Sequence, residues 1–211
     1  PPRPAAHALL HLRASLRPVL SVFSRFPATF RPAAVAFPRV RSGGALERLL
    51  RPALRGGELV AGFLLGFGLF ALLQALVILV FTVVVLKVQF RGNVATIFLV
   101  EAVLVIGAVS LGLAVSAFAR NELQAVQFVP LILLPQVFLS GLLVPVAELP
   151  DVLRPIAAVL PLTYANEALR SVMIKGYSLG DPLVLRDLGI LAAFALLAAT
   201  AAVASIRREV A

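Results

Sequence analysis

Residues 128–170 read FVPLILLPQVFLSGLLVPVAELPDVLRPIAAVLPLTYANEALR, a proline-bearing apolar span joined to a short apolar hairpin punctuated by Pro150, Pro155 and Pro161. A soluble domain has no use for an apolar helix followed at once by a dozen more apolar residues broken into pieces. The pattern reads as a membrane span and then a segment that dips back toward the bilayer. Irregular backbone at membrane depth is tolerated where it is buried in protein or lines a path.

Composition agrees with that reading across the chain. Hydrophobic residues make up 61% of the 211 positions and charged residues 14%, against a soluble norm of roughly half apolar and a quarter charged. The apolar residues come in long blocks, so lipid is the solvent for most of the chain. There is no cysteine, which excludes disulfides and thiolate metal sites. The net charge of +9 is local: residues 1–58 carry ten arginines against Glu47 and Glu58, or +8, leaving the other 153 residues at +1. A basic flank ahead of a first span is what the positive-inside rule places in the cytoplasm, beside anionic lipid. No aromatic-interleaved motif accompanies the arginines, so nucleic acid is not an expected partner.

Four stretches are long enough to cross a hydrocarbon core, which takes about 20 helical residues. They lie at about 59–86, 94–119, 124–146 and 183–206. With the N-terminal side inside, Arg39, Arg41, Arg48, Arg51, Arg55, Arg120, Arg207 and Arg208 fall in short cytoplasmic segments near span ends. The outer side then receives Lys87, Arg91, Arg154, Arg170 and Lys175, mixed with Glu148, Asp151, Glu167 and Asp181. The expected fold is an all-α integral membrane protein with about four transmembrane helices and a short re-entrant outer hairpin at about 148–176. Its N-terminal region is expected to be disordered or irregular. Both termini are expected in the cytoplasm of a multi-pass cell-membrane protein.

Several residues stand out against the apolar background. Glu101 lies about seven positions into the second span, roughly 10 Å below the outer surface at 1.5 Å per residue. An ionisable group there is a functional candidate by default. It is either a contact for a cationic or amphiphilic substrate, or a protonated carboxyl, or a side chain that reaches the interface to meet Lys87 or Arg91. Pro130 and Pro135 each remove a helical hydrogen bond from the third span, so a kink is expected. Gln124, Gln127 and Gln136 should face protein or water; Gln127 and Gln136, nine apart, lie near opposite sides of a helix.

Small residues mark where helices can approach. Gly62 and Gly66 form one GxxxG pair, and Ala108, Gly112 and Ser116 recur every fourth position. Packing within one chain is favoured over a contact between chains for both sets. Asp151 with Arg154, and Glu167 with Arg170, are spaced three apart as neighbours on a helical face. No GxxxxGK[ST] phosphate loop occurs, so this chain by itself is not an ATPase. No nucleophile, base and acid set or metal-ligand spacing appears in the membrane portion; His7 and His11 are an isolated i, i+4 pair.

Three segments resemble the type-2 permease family of ATP-binding-cassette (ABC) transporters. These are SGGALERLLRPALRGGELVAGFLLGFGLF at 42–70, LGLAVSAFARNELQAVQF at 111–128, and LPQVFLSGLLVPVAELPDVLRPIAAVLPLTYANEALRSVMIKG at 134–176, with PLTYANEALR the most specific element. The resemblance implies that residues 42–58 form a cytoplasmic coupling helix, with Glu47, Arg48, Arg51, Arg55 and Glu58 facing a separate ATPase subunit. The bottom-up reading of ALERLLRPALRGGEL is a short amphipathic piece interrupted at Pro52. The resemblance also implies two short outer helices, at about 153–162 and 164–173, with Gly141 and the prolines at the corners. Pathway or outer-gate candidates are then Glu101, Gln127, Gln136, Pro161, Tyr164, Glu167 and Arg170. ATP and magnesium would sit on the partner, leaving no cofactor on this chain, and a second permease subunit would complete the pathway.

Residues 1–41 are set apart from the native fold. They hold seven arginines, seven prolines and no acid, a composition like that of a transit peptide or a basic arm. The family has six spans, two of them ahead of the loop at Ser42, and this sequence begins with proline. The expectation is a fragment whose first two spans were replaced by a truncated or frameshifted reading, which a comparison of the three reading frames of the encoding DNA tests. The transmembrane domain proper is expected at 59–208. The expected function is the permease subunit of an ABC exporter for a drug-, lipid- or polysaccharide-type cargo. The alternatives are an ATP-independent membrane channel or assembly protein of similar architecture and, more distantly, a membrane enzyme.

Overall fold

The computed structural model describes residues 29–36, 38–39, 56–85 and 90–210. Seven α-helices organise them: α1 (residues 29–36), α2 (Gly56–Val84), α3 (Val94–Phe118), α4 (Glu122–Leu139), α5 (Arg154–Val159), α6 (Pro161–Arg170) and α7 (Pro182–Val210). A 3₁₀ turn at Val146–Glu148 precedes α5, and a π turn at Ser171–Lys175 extends α6. Among the described residues there is no strand. Four helices, α2, α3, α4 and α7, are long and apolar enough to cross a membrane. The chain is an all-α, multi-pass membrane protein with the expected four spans and two short helices between the third and fourth.

Local chemistry explains where the spans start and stop. Asn93 caps α3, its side-chain oxygen accepting from the Ala95 N–H at 2.8 Å. At the α3–α4 turn, Asn121 Oδ1 accepts from Gln124 N–H while Gln124 Oε1 accepts from Arg120 N–H, both at 2.8 Å. This reciprocal pair is a close relative of the capping box and satisfies two donors that a helix start leaves open. Glu122 in the first turn of α4 complements the positive end of the helix dipole.

The third span is shorter than its apolar run. The sequence places its end at 146, but α4 stops at Leu139, where Ser140 caps it and Gly141 takes a left-handed φ of 77°. A left-handed residue just past the last turn is the ordinary way to end a helix, and glycine adopts it without a Cβ penalty. Helix α4 continues through both Pro130 and Pro135. Each proline withdraws the N–H that the carbonyl four residues earlier would use.

Helix α3 is the centre of the bundle, and over half of its spanning window is inside the protein. One side, with Ile97, Val100, Leu104 and Ala108, packs against Leu162, Ala165 and Leu169 of α6 and Leu191 of α7. The other side, with Val105, Val109, Leu113 and Ala117, meets Ala71 and Ala75 of α2, Ala33 of α1 and Ala202 of α7. Helix α2, by contrast, turns Leu65, Leu69, Phe70 and Val77 outward. At the far end of α2 the chain folds onto the π turn, with Arg91 N–H donating to the Met173 carbonyl at 3.2 Å. A Cβ on Gly92 would overlap the Val172 carbonyl oxygen.

Two local findings add to the sequence reading. Residues 29–36, which fall within the 1–41 segment, form a helix packed into the core, with Phe30, Ala33 and Ala34 fully buried. Residues 1–28 lie outside the described residues. The small-residue pairs also divide. Gly112 packs within the chain, since an added Cβ would lie 2.7 Å from Ala33 Cβ and 2.8 Å from the Phe30 carbonyl oxygen. Gly62 and Gly66 show no such contact, because among the described residues nothing lies within 4 Å of a Cβ at either.

The contrast makes a test. Gly112→Val forces α1 away from α3 and should cost about 1–3 kcal/mol, the usual range for overpacking a core. Gly66→Ala should leave stability of the monomeric chain within about 1 kcal/mol, since it gains helix propensity and meets no atom. Thermal unfolding followed by circular dichroism in detergent compares the two directly.

Candidate functional site

The candidate site lies at the end of the bundle opposite Gly56, where α5 and α6 fold between α4 and α7. Prolines build this hairpin. Pro155 and Pro161 each stand in the first turn of a helix, where their missing N–H is not needed. Leu160 between the two helices is extended. Two side chains of α6 then reach back to the last turn of α5: Thr163 Oγ1 donates to the Ala157 carbonyl and Tyr164 Oη to the Ala158 carbonyl, both at 2.7 Å. Arg154 ties the approach to α5 by donating to the Leu149 carbonyl at 3.0 Å and the Ala147 carbonyl at 2.9 Å. It also pairs with Asp151 at 2.9 Å, as the spacing of three predicts.

Helix α6 is clasped on two sides. Asn166, 3% exposed, donates through Nδ2 to the carbonyl and hydroxyl oxygens of Ser140, at 3.2 and 3.1 Å. One turn on, Arg170 Nη2 donates to the Leu142 carbonyl at 3.4 Å. Together they serve carbonyls that α4 leaves open as it ends. Glu167, rotated about 100° from Asn166, faces α7 instead. There Arg186 holds two carboxylates, reaching Glu167 at 3.2 Å and Asp187 Oδ1 through Nε and Nη2 at 2.9 and 2.8 Å. The Asp187 side chain is 1% exposed, while those of Arg186 and Glu167 are about half exposed.

The expected local pair Glu167–Arg170 is therefore replaced. A guanidinium from α7 takes the Glu167 carboxylate and a backbone carbonyl takes the Arg170 guanidinium. Between α6 and the loop of residues 140–147 lies a cleft of about 240 Å³ lined by Ser140, Ala147, Thr163, Asn166, Glu167 and Arg170 among others. Asn166 Oδ1, Arg170 Nε, Gln136 Oε1 and Asp187 Oδ2 are buried and have no hydrogen-bond partner among the described residues.

The other expected site residues scatter. Glu101 sits on α3, 2% exposed, in the bundle interior. Gln136 is buried on α4, whereas Gln127 is exposed and lines a separate groove with Arg31 and Pro130. Pro161 is buried and Tyr164 half-buried, both placed to shape the hairpin. Glu47, Arg48, Arg51 and Arg55 lie outside the described residues, and Glu58 falls in the first turn of α2. Sequence reasoning missed Ser140, Asn166, Arg186 and Asp187 as members of the site. Asn166 stands in the PLTYANEALR element, and a charged pair at the head of an apolar span was the available sign for the other two. Among the described residues no three His, Cys, Asp or Glu side chains gather where a metal ion could sit.

Known proteins share this arrangement of sequence. The chain belongs to the ABC-2 type transporter family, whose family model matches residues 13–174. The match includes α1, in accord with its burial in the core. The chain is similar to ABC transporter G family member 20 of Dictyostelium discoideum, 34% identical over 145 residues that cover 69% of this chain and 20% of that protein. It is also similar to the probable multidrug ABC transporter permease YbhS of Escherichia coli strain K12, 26% identical over 63% of this chain and 36% of the relative. The linearmycin resistance permease protein LnrN of Bacillus subtilis strain 168 is 27% identical over 85% of this chain and 46% of the relative. The chain thus spans between a fifth and a half of the length of these relatives.

The α6–α7 clasp predicts an ordered set of stabilities. Glu167→Gln removes a half-exposed ion pair and should cost under about 1 kcal/mol. Arg186→Gln leaves the buried Asp187 carboxylate without its donor and should cost about 1–3 kcal/mol. Arg186→Gln with Asp187→Asn should recover part of that loss. Chemical denaturation of the three variants in one detergent checks the order.

Proposed function

We propose that this chain is the membrane permease part of an ABC exporter, driven by a separate ATPase subunit and paired with a second permease subunit. The hairpin of α5 and α6 is the outer gate. The observation that carries the reading is the pair of clasps on α6. They hold the end of the bundle opposite Gly56 shut with a few hydrogen bonds and one ion pair, about 0.5–1.5 kcal/mol for each hydrogen bond. A gate must be closed at rest and yet open for a modest input, and a sum of a few kcal/mol fits a two-state element.

The other end supports the coupling half of the proposal. Gly56, the α3–α4 turn and the end of α7 lie there, with Arg39 paired to Glu122 at 3.4 Å. Arg120 and the last turn of α7, residues 207–208, lie at the same end, which supports placing that end in the cytoplasm. The arginines of residues 45–55, with Glu47 and Glu58, then meet the ATPase, which holds ATP and magnesium. The gate candidates Glu101, Gln136, Pro161, Tyr164, Glu167 and Arg170 lie on α3, α4 and α6, and Gln127 faces a groove nearer the cytoplasmic end. The apolar character of the spans and the names of the relatives, multidrug permease and linearmycin resistance permease, favour an amphiphilic drug-like or lipid-like cargo over a polysaccharide.

Absence of native cysteine makes topology directly measurable. A single cysteine at Ser178 should react with a membrane-impermeant maleimide in intact cells, and one at Ser42 only after permeabilisation; the reverse pattern would invert the proposed orientation. Co-expression with an ABC ATPase subunit that binds it should give a complex whose ATP hydrolysis rises on reconstitution, and Arg48→Glu with Arg51→Glu should reduce that stimulation at least tenfold. A chain that conducts without any ATPase partner would be a channel instead.

A further inference from the structure

The last turns of α2 and the first turns of α3 leave a groove of about 380 Å³ between them, lined by Leu76, Leu79 and Val83 of α2 and Val94, Ala95 and Phe98 of α3. The lining is apolar. Thr82, the polar side chain on this stretch of α2, is spent on its own helix, its Oγ1 donating to the Ile78 carbonyl at 2.7 Å. From Leu76 to Val84 the groove runs roughly 12 Å at 1.5 Å per residue. One leaflet contributes about 15 Å to a hydrocarbon core of about 30 Å. The groove therefore starts at the end of the bundle that carries α5 and α6 and stays within a single leaflet.

Two cations stand at its mouth. Arg91 lies three residues ahead of Val94, at most about 10 Å of chain, and its N–H is fixed on the Met173 carbonyl. A Cβ on Gly176 would lie 3.2 Å from Arg91 Cβ, which makes Lys175 a close neighbour. Arg154, Arg170 and Arg186 at the same end each find a carboxylate or a carbonyl. Arg91 and Lys175 are exposed and pair with no acid among the described residues. The Lys175 ammonium rests over the Tyr177 ring, 5.5 Å from its centre. Asp181, the acid nearest to Lys175 in sequence, is turned to the N–H and hydroxyl of Ser178.

An apolar groove one leaflet deep, headed by two unpaired cations and a tyrosine of the kind found at headgroup level, is complementary to an acyl chain that carries an anionic head. A second helix is a poorer fit. Helix pairing in lipid relies on small residues, and Gly62, Gly66 and Gly68 lie in the other half of α2. We infer that the α2–α3 groove binds one anionic phospholipid, with its phosphate between Arg91 and Lys175 and one acyl chain laid along α2. Basic side chains beside a membrane attract such lipids. The site uses neither the gate nor the exporter reading, since either orientation leaves it in the leaflet that α5 and α6 face.

The chain has no tryptophan, so one introduced at the groove reports on that place alone. Val84→Trp, at an exposed position on the groove, is reconstituted as the full chain in phosphatidylcholine vesicles. Its fluorescence is then quenched with brominated phosphatidylglycerol or with brominated phosphatidylcholine of the same acyl chains. The anionic lipid should occupy the site in preference by roughly tenfold. Arg91→Gln with Lys175→Gln should remove the preference while the melting curve by circular dichroism stays in place, and Ala95→Phe, which narrows the groove, should reduce it by more than half. Leu197→Trp, on the exposed face of α7, should show no preference. Free glycerol phosphate should not displace the lipid, because the acyl chain holds the headgroup in place. Equal quenching by the two lipids, an equal preference in Leu197→Trp, a preference that survives the double glutamine variant or Ala95→Phe, or one that glycerol phosphate removes, overturns the proposal. A Val84→Trp side chain shielded from both brominated lipids also overturns it and assigns the groove to a second copy of the chain. The measurement needs neither ATPase nor transport, so it stands or falls apart from the exporter reading.

Discussion

Backbone carbonyls at the ends of helices are the constraint on which the rest of this structure depends. In water such groups are satisfied by solvent, whereas in or near a bilayer they must find donors within the protein. Helix α4 ends early at Gly141, and the carbonyls of Ser140 and Leu142 beyond it are met by Asn166 and Arg170 of α6. Helix α5 ends after one and a half turns, and Thr163 and Tyr164 of α6 meet its carbonyls in turn. Helix α6 is thus a rod of donors serving two broken helices, which is why PLTYANEALR is polar on two faces within an otherwise apolar chain.

The second constraint is close approach. Helix α3 can be central only because Gly107, Ala108, Gly112 and Ser116 let neighbours come near on several sides. Without a hydrophobic driving force between helices in lipid, that packing supplies much of the cohesion. Helix α2 contributes less to the interior and leaves a long apolar face outward. The bundle is therefore asymmetric, with one enclosed axis and one face open to whatever surrounds it.

Most of the architecture was legible in the sequence, because twenty-residue apolar blocks and prolines are signals that tertiary context seldom overrides. The four spans follow from them, and the two short helices from the family resemblance. The early end of α4 was not legible, since the apolar run continues past Gly141 and composition does not register a left-handed turn. Gly62–Gly66 and Gly112 look alike as small-residue signals, yet among the described residues only the latter meets a neighbouring helix at van der Waals distance. Glu167 and Arg170 obey a local spacing rule, but Arg186, nineteen residues from Glu167 in sequence, offers a better partner. Asn166 reads as filler in a helix until its neighbour Ser140, twenty-six residues away, is seen beside it. What was lost in each case is long-range, and a single sequence holds no record of it.

Arg186 is shared between carboxylates on two helices, and only one of them is buried. If α6 swings outward, Glu167 enters water already half-hydrated, while the guanidinium keeps its Nε and Nη2 on Asp187 Oδ1. No charge is stranded at any point along that path. Under the proposed gate reading that motion is a hand-off of one cation from two acids to one, with its electrostatic barrier set by the exposed acid, while the buried acid stays paired with its neighbour Arg186 within α7.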